Sequence, residues 1–171
     1  MRLNLGGGNS HIDDFINVDL YDEEADVRAD ICELPYADNS VEEIVCYQVI
    51  EHVPYNKSQQ MFDEMYRVLQ PGGTAIIETP DIDVVCQEIL REGLKDKWIY
   101  SLVGEYYRPW DKERYKDWEF NAASIHRNPW NLARLAKMAR EAGFRDIYRQ
   151  DMDEKHPDYR YEETLSVKLT K

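Results

Sequence analysis

The chain has 171 residues and a formal net charge of −13, from 34 acidic and 21 basic side chains. This length fits one domain over residues 1–171, and the negative charge argues against a nucleic-acid partner, whose phosphates it would repel. No stretch approaches the roughly 18 apolar residues that span a bilayer and no secretory signal opens the chain, so we expect a cytoplasmic protein without a membrane partner.

The first half of the chain predicts four strands followed by a helix. Short apolar runs place the strands at 3–5, 15–18, 27–31 and 44–47. Residues 58–69 then change to helical spacing, with apolar side chains on one face. Pro71 and the glycines after it end that helix, because proline cannot continue it and glycine can take a left-handed turn.

The second half predicts further alternation of strand and helix. A strand at 74–78 is followed by a helix over 82–94. Asn128-Pro129 is typical of a helix start, and Gly143 of the end of the same helix. Two strands are predicted at 144–149 and 164–169, and the period-two pattern of the last one favours antiparallel pairing.

The cysteines at positions 32, 46 and 86 are odd in number and far apart. Their spacing does not fit a metal site, and no metal site is predicted. We interpret them as reduced thiols of the core.

Strands that alternate with helices indicate a mostly parallel sheet covered on both faces. Ligands of such sheets lie at the carboxyl ends of the strands. The glycines at 6–8, Asp19, Asp30 and Tyr47 end successive predicted strands. We therefore expect them to converge on one crevice.

A dinucleotide fits this crevice poorly. Its fingerprint has three glycines followed by an acid about 20 residues on. Gly6 and Gly8 match, but His11 stands at the third glycine position, and Asp19 comes too early. A Walker phosphate loop is also absent from the sequence. An NAD-dependent oxidoreductase is therefore a weak alternative.

S-adenosylmethionine fits better because it carries no diphosphate. The backbone of Gly6, Gly7 and Gly8 can approach its methionine part. Asp19 can accept from the ribose hydroxyls and Asp30 from the adenine amine. Leu20 and Ile31 can enclose the adenine ring, and nearby acids suit a cationic sulfonium.

At this point the sequence resembles a small class I S-adenosylmethionine-dependent methyltransferase. The similar segments are "LNLGGG", "FINVDL", "ADICELPYADNSVEEIVCYQVIEHV", "EMYRVLQPGGTAIIETPD" and "LARLAKMAREAGF". The resemblance implies a Rossmann-like three-layer α/β fold with strand order 3-2-1-4-5-7-6 and an antiparallel last strand. It also implies S-adenosyl-L-methionine as cofactor, and it extends the cofactor role to Tyr47 and Gln48 at the end of strand four.

The chain departs from the family in three places. The helix before strand one is missing, the helix between strands one and two is shortened, and residues 95–127 form an insert. The insert is rich in aromatic side chains: Trp98, Tyr100, Tyr106, Tyr107, Trp110, Tyr115, Trp118 and Phe120. We interpret it as the lining of an acceptor pocket, as a lid over the missing first helix, or as a homodimer surface. A satellite core under the sheet is the plainer alternative. Residues 153–163 are charged and predict a solvated loop.

The predicted reaction is methyl transfer to an oxygen or nitrogen of a small-molecule or glycan-like acceptor. A hydroxyl acceptor would benefit from a general base, for which His126 is the first candidate and His52 the second. Because the first crossover is short, an inactive binding or scaffold module is the main alternative.

Overall fold

The structure, a computed structural model, describes residues 1–8, 10–104, 125–152 and 163–171. Its centre is a seven-stranded sheet in the order β3-β2-β1-β4-β5-β7-β6. The strands are β1 (Arg2–Leu5), β2 (Ile16–Asp19), β3 (Val27–Arg28), β4 (Val41–Tyr47), β5 (Leu69–Pro80), β6 (Asp146–Gln150) and β7 (Thr164–Thr170). Strands β1 to β5 pair in parallel, whereas β7 is antiparallel to both of its neighbours. The predicted fold class and strand order are confirmed.

The described residues also form four α-helices: α1 (Ser58–Val68), α2 (Ile82–Glu92), α3 (Asp96–Val103) and α4 (Leu132–Ala142). Helices α1 and α4 pack against each other; α1 also packs against β5, and α4 against β6 and β7. Their inward residues repeat at helical spacing and are buried, among them Met61, Met65, Leu135 and Ala139. None of the helices in the described part of the chain is long and apolar enough to cross a membrane.

The two faces of the sheet carry different cores. Alternate strand residues point to opposite faces, so Leu3, Leu5, Ile44 and Ile77 join the large cluster under α1 and α4. The other face carries a small cluster of Phe15, Val45, Tyr47 and Ile76, with Ile12 against it.

A polar network holds the short connection from β1 to β2, which contains no helix at 6–8 or 10–15. The buried side chain of Asn4 donates from Nδ2 to Ser10 O and to Asn17 Oδ1, both at 2.9 Å. Asn17 Oδ1 also accepts from Ile12 N at 3.1 Å. The amide and backbone nitrogens of Asn17 donate to Asp26 Oδ2 at 3.1 and 2.8 Å. These hydrogen bonds fix the segment where the resemblance predicts a shortened helix.

The predicted start of the last helix at Asn128 is wrong. Helix α4 begins after Asn131, whose side chain accepts from Arg134 N at 2.9 Å. Asn128 is buried and donates to Ser58 Oγ at 2.6 Å. The helix does not start earlier because Trp130 is fully buried. The carbonyl oxygen of Trp130 accepts a hydrogen bond from the backbone nitrogen of Ile82, the first residue of α2.

Three smaller predictions also need correction. Helix α1 ends at Val68, before the Pro-Gly-Gly turn, and β5 already begins at Leu69. Cys86 is exposed, so only Cys32 and Cys46 are core thiols; all three are free. Glu163 is buried and accepts from Ser101 Oγ at 2.7 Å, so it does not belong to a solvated loop.

One aromatic side chain at the start of the insert is buried. Trp98 on α3 is 2% exposed and donates from Nε1 to Glu92 Oε1 at 2.8 Å. The structure does not describe the side chain of Tyr100 in α3. The remaining aromatic residues predicted to form a lid or dimer surface lie outside the described part of the chain: Tyr106, Tyr107, Trp110, Tyr115, Trp118 and Phe120. The same holds for residues 153–162 of the predicted loop.

Candidate functional site

A cavity of about 860 Å³ opens where β1 to β4 end. It brings together eight of the predicted site residues: Gly6, Gly8, Asp19, Leu20, Asp30, Ile31, Gln48 and His52. Gly7, Tyr47 and His126 do not line it. Since the sheet order is β3-β2-β1-β4, the lining runs from Asp30 past Asp19 and the glycines to Gln48.

The glycine turn after β1 needs glycine at each position for a different reason. Gly6 has φ +68°, and a Cβ there would lie 2.6 Å from Val49 Cγ1. A Cβ on Gly7 would collide with Asn4 Nδ2, so this glycine makes room for the polar network. Gly8 has φ +49°, and a Cβ there would meet nothing within 4 Å. Gly8 therefore faces open cavity space.

Asp19 fastens the glycine turn to the end of β2. Its Oδ2 accepts from Gly8 N at 3.0 Å, and its Oδ1 accepts from Tyr21 N and Asp22 N at 2.7 and 3.0 Å. A carboxylate offers about four lone-pair directions, so one acceptor position on Oδ2 is left for a ligand hydroxyl. This backbone role was not predicted.

Asp30 is held as a carboxylate at the β3 end of the cavity. Burial alone would raise its pKa, but hydrogen bonds from Cys32 N and Lys57 Nζ, at 2.9 and 3.0 Å, lower the pKa below its ordinary value. Lys57 was missed by the sequence analysis because it lies 27 positions away. Ile31 and the 39% exposed Leu20 supply apolar surface beside this carboxylate.

Gln48 combines a strained backbone with an unsatisfied donor. Its φ is +56°, which is unfavourable for a residue with a side chain. Its Nε2 is buried and has no hydrogen-bond partner among the described residues. Strain and orphan donors of this kind concentrate at functional sites. Nε2 is therefore available to an acceptor atom of a ligand.

Tyr47 points away from the cavity. It is 8% exposed and packs in the small cluster with Val45 and Ile76. Because these side chains cover it, Tyr47 does not line the cavity.

The two predicted histidines lie next to each other at the β4 end. Their ring centroids are 4.9 Å apart in an edge-to-face arrangement. His52 lines the large cavity, with Nδ1 3.2 Å from Ile125 O. His126 lines a separate small cavity of about 10 Å³, with Nδ1 3.0 Å from Ser101 O. Burial lowers the pKa of His52 to about 4 and also lowers that of His126, so both rings are neutral at pH 7.

Glu51 adjoins both histidines and was also missed. It is 2% exposed, and burial raises its pKa to about 8. Its Oε2 accepts from Thr79 Oγ1 at 3.0 Å, whereas Oε1 is buried without a partner among the described residues. A sequence signal existed, since Glu51 directly precedes His52 after a buried strand.

The charges around the large cavity favour a cationic or neutral ligand. Its acidic lining residues outnumber its lysine and arginine: Asp19, Asp22, Glu23, Glu24 and Asp30 against Lys57 and Arg127. A diphosphate would be repelled by this lining, whereas a sulfonium or an amine would be attracted.

Comparison with known proteins relates the chain to methyltransferases. The methyltransferase-domain family matches residues 14–77. A demethylmenaquinone methyltransferase of Listeria monocytogenes is 30% identical over 128 residues, which are 74% of this chain and 50% of that protein. These matches and the strand order support a class I S-adenosylmethionine-dependent methyltransferase. The chain thus spans about half the length of the Listeria methyltransferases that it matches.

Solved structures agree with the methyltransferase fold. An S-adenosylmethionine-dependent methyltransferase of Thermotoga maritima superposes with a TM-score of 0.60 at 15% identity, over 99% of this chain and 81% of the other. Phosphoethanolamine N-methyltransferase 2 of Haemonchus contortus, in complex with S-adenosyl-L-methionine, has a TM-score of 0.51 at 20% identity, over 88% and 34%. These likenesses show that the chain shares the fold of these methyltransferases.

Proposed function

We propose that the chain binds S-adenosylmethionine in the large cavity and transfers its methyl group to a small-molecule acceptor. The observation that carries this proposal is the order of groups along one cavity. A carboxylate, a second carboxylate, a glycine turn and an unpaired amide follow the sheet order from β3 to β4. An extended adenosyl amino acid needs such groups in that order.

Each part of the cofactor then has a chain partner. Asp30 accepts from the adenine amine, and Ile31 and Leu20 cover the ring. Asp19 Oδ2 accepts from a ribose hydroxyl while it holds the glycine turn. The open space at Gly8 and the unpaired Nε2 of Gln48 suit the amino-acid end, because a carboxylate there would satisfy the buried donor.

The acceptor would lie at the β4 end, beside His52. The cofactor supplies a methyl group that is already activated by its sulfonium. The chain therefore has to hold the acceptor in line and exclude water. His52 is the histidine placed to contact an acceptor, since it lines the cavity and His126 does not. The acceptor atom of this proposal is an oxygen or a nitrogen, as in a hydroxylated ring, a sugar or an amine.

A quinone-type ring is the second candidate acceptor. The Listeria relatives are named demethylmenaquinone methyltransferases. The cavity wall around His52 is apolar, formed by Val49, Val53 and Pro54, which suits a flat ring better than a sugar. Such an acceptor would be methylated on a ring carbon.

Two measurements test the proposal. Titration calorimetry should detect binding of S-adenosylmethionine and of S-adenosylhomocysteine to the chain, but no binding of NAD. Binding of NAD alone would favour an oxidoreductase. If none of the three compounds binds, the result would favour a scaffold module. Transfer of label from methyl-tritiated cofactor is then followed with a reduced naphthoquinone, a catechol, an aryl amine and a methyl glycoside. Cofactor binding without transfer to any member of a wide panel would point to an inactive binding module.

A further inference from the structure

The cluster of Glu51, His52 and His126 has a feature that methyl transfer does not require. One donor atom from each side chain lies within 4.8 Å of the other two. We propose that these three side chains bind one divalent transition-metal ion, of the zinc type.

The first argument is the orientation of the two imidazoles. The Nδ1 atoms of His52 and His126 contact the backbone carbonyls of Ile125 and Ser101. A carbonyl can only accept, so in each ring Nδ1 carries the proton and Nε2 carries the lone pair. Metal-binding histidines are held in the same way, with the second ring nitrogen donating to a carbonyl. In this orientation the Nε2 lone pairs of both rings are the atoms that would bind an ion.

The second argument is the unpaired oxygen of Glu51. Oε2 is satisfied by Thr79, but Oε1 is buried with no partner among the described residues. A buried polar atom without a partner is costly. Glu51 also lines the cavity of about 10 Å³ that His126 lines. A cation between the three side chains would satisfy Oε1 and stabilise the ionised carboxylate.

The donor set selects the class of ion. Two imidazoles and one carboxylate form a zinc-type set, whereas magnesium and calcium prefer oxygen ligands throughout. Tetrahedral zinc at about 2.1 Å from each ligand places the ligand atoms about 3.4 Å apart. The distances between the ligand atoms, now within 4.8 Å, would thus shorten by up to about 1.4 Å on binding. Three protein ligands leave one coordination position for a water molecule or for a hydroxyl oxygen of the acceptor. The ion would lower the pKa of the water or hydroxyl group bound there.

The test is metal binding by the whole chain after removal of metal with a chelator. Titration with Co²⁺ should produce the visible absorption of a four-coordinate ion at one equivalent per chain, and Zn²⁺ should displace it. Glu51→Gln and His126→Gln should each weaken Co²⁺ binding at least tenfold. His11→Gln is the matched control, since it removes an imidazole from the exposed pair with Asp22, and it should bind as the unchanged protein does.

The proposal would be overturned by absence of Co²⁺ binding, or by unchanged binding in both cluster variants. Loss of binding in His11→Gln would also contradict it. Anomalous scattering at the zinc edge, from crystals of the unchanged protein soaked in Zn²⁺, does not depend on any variant being folded. A peak between Glu51, His52 and His126 supports the site, and a peak elsewhere or none at all refutes it.

Discussion

The proposed cofactor site depends most on the carboxylate of Asp19. In Asp19→Asn, one of its two oxygens is replaced by an NH₂ group. In the structure Oδ1 accepts hydrogen bonds from Tyr21 N and Asp22 N. Oδ2 accepts one from Gly8 N and has one acceptor position left. If the amide oxygen takes the place of Oδ1, the turn after β2 is retained. The NH₂ group then replaces Oδ2, where it faces the donor Gly8 N and cannot accept from a ribose hydroxyl.

The expected effect follows from one lost hydrogen bond to a charged acceptor. Such a bond contributes about 1.5 to 3 kcal/mol, so the Kd of S-adenosylhomocysteine should rise about 10- to 150-fold. The exposed Asp13 lies in the same crossover, and Asp13→Asn is the control for the change in net charge. It should leave the Kd within about twofold, because distant surface charges are screened.

Titration calorimetry measures both variants, and thermal unfolding without ligand shows whether the fold is kept. A Kd for Asp19→Asn within twofold of the unchanged protein, with an intact fold, would refute the role of Asp19. An equal loss in Asp13→Asn would show that net charge, and not the Oδ2 contact, determines the affinity.

Three further predictions concern the backbone and the thiols. Gly8→Ala should lose about 1 to 2 kcal/mol of stability through its left-handed φ and bind S-adenosylhomocysteine more weakly; Gly72→Ala, at φ +81° and also with no atom within 4 Å, should lose similar stability and bind normally. If both bind alike, Gly8 does not face the ligand. Asn17→Ala leaves Asn4 Nδ2 and Ile12 N short of an acceptor and should lower the free energy of unfolding in urea by about 2 to 4 kcal/mol; a loss under 1 kcal/mol would show that water replaces the network. At pH 8 a thiol reagent should modify only Cys86 rapidly, since burial raises the pKa of Cys32 to about 12; a fast phase that survives Cys86→Ser would contradict this.

The mostly parallel sheet and the site at the strand ends could be predicted from the alternation of elements, whereas the strand order was implied by the family resemblance. Parallel strands with crossovers place their carboxyl ends on one edge, so Asp19 and Asp30 had to lie near the glycine turn. Which side chains at the strand ends line the cavity was harder to predict. Tyr47 ends a strand as Asp19 does, but it is buried against Val45 and Ile76 and does not line the cavity.

The polar interior was missed because its partners are distant in sequence. Asn4 and Asn17 each stand in the middle of an apolar strand, and that break in pattern was a usable signal. Their link to each other depends on the register of β1 and β2, in which Asn4 pairs with Asn17. The false helix start at Asn128 has a similar origin. Two asparagines flank Trp130, and burial of that tryptophan decides which one caps the helix.

The most direct test of the proposed function is a crystal structure of the chain with S-adenosylhomocysteine bound. We expect the adenine amine within hydrogen-bond distance of Asp30 and a ribose hydroxyl at Asp19 Oδ2. The amino-acid end should lie over the glycine turn, with Gln48 Nε2 donating to it. A nucleoside bound outside this cavity, or bound in the reverse direction along the strand ends, would contradict the proposed site.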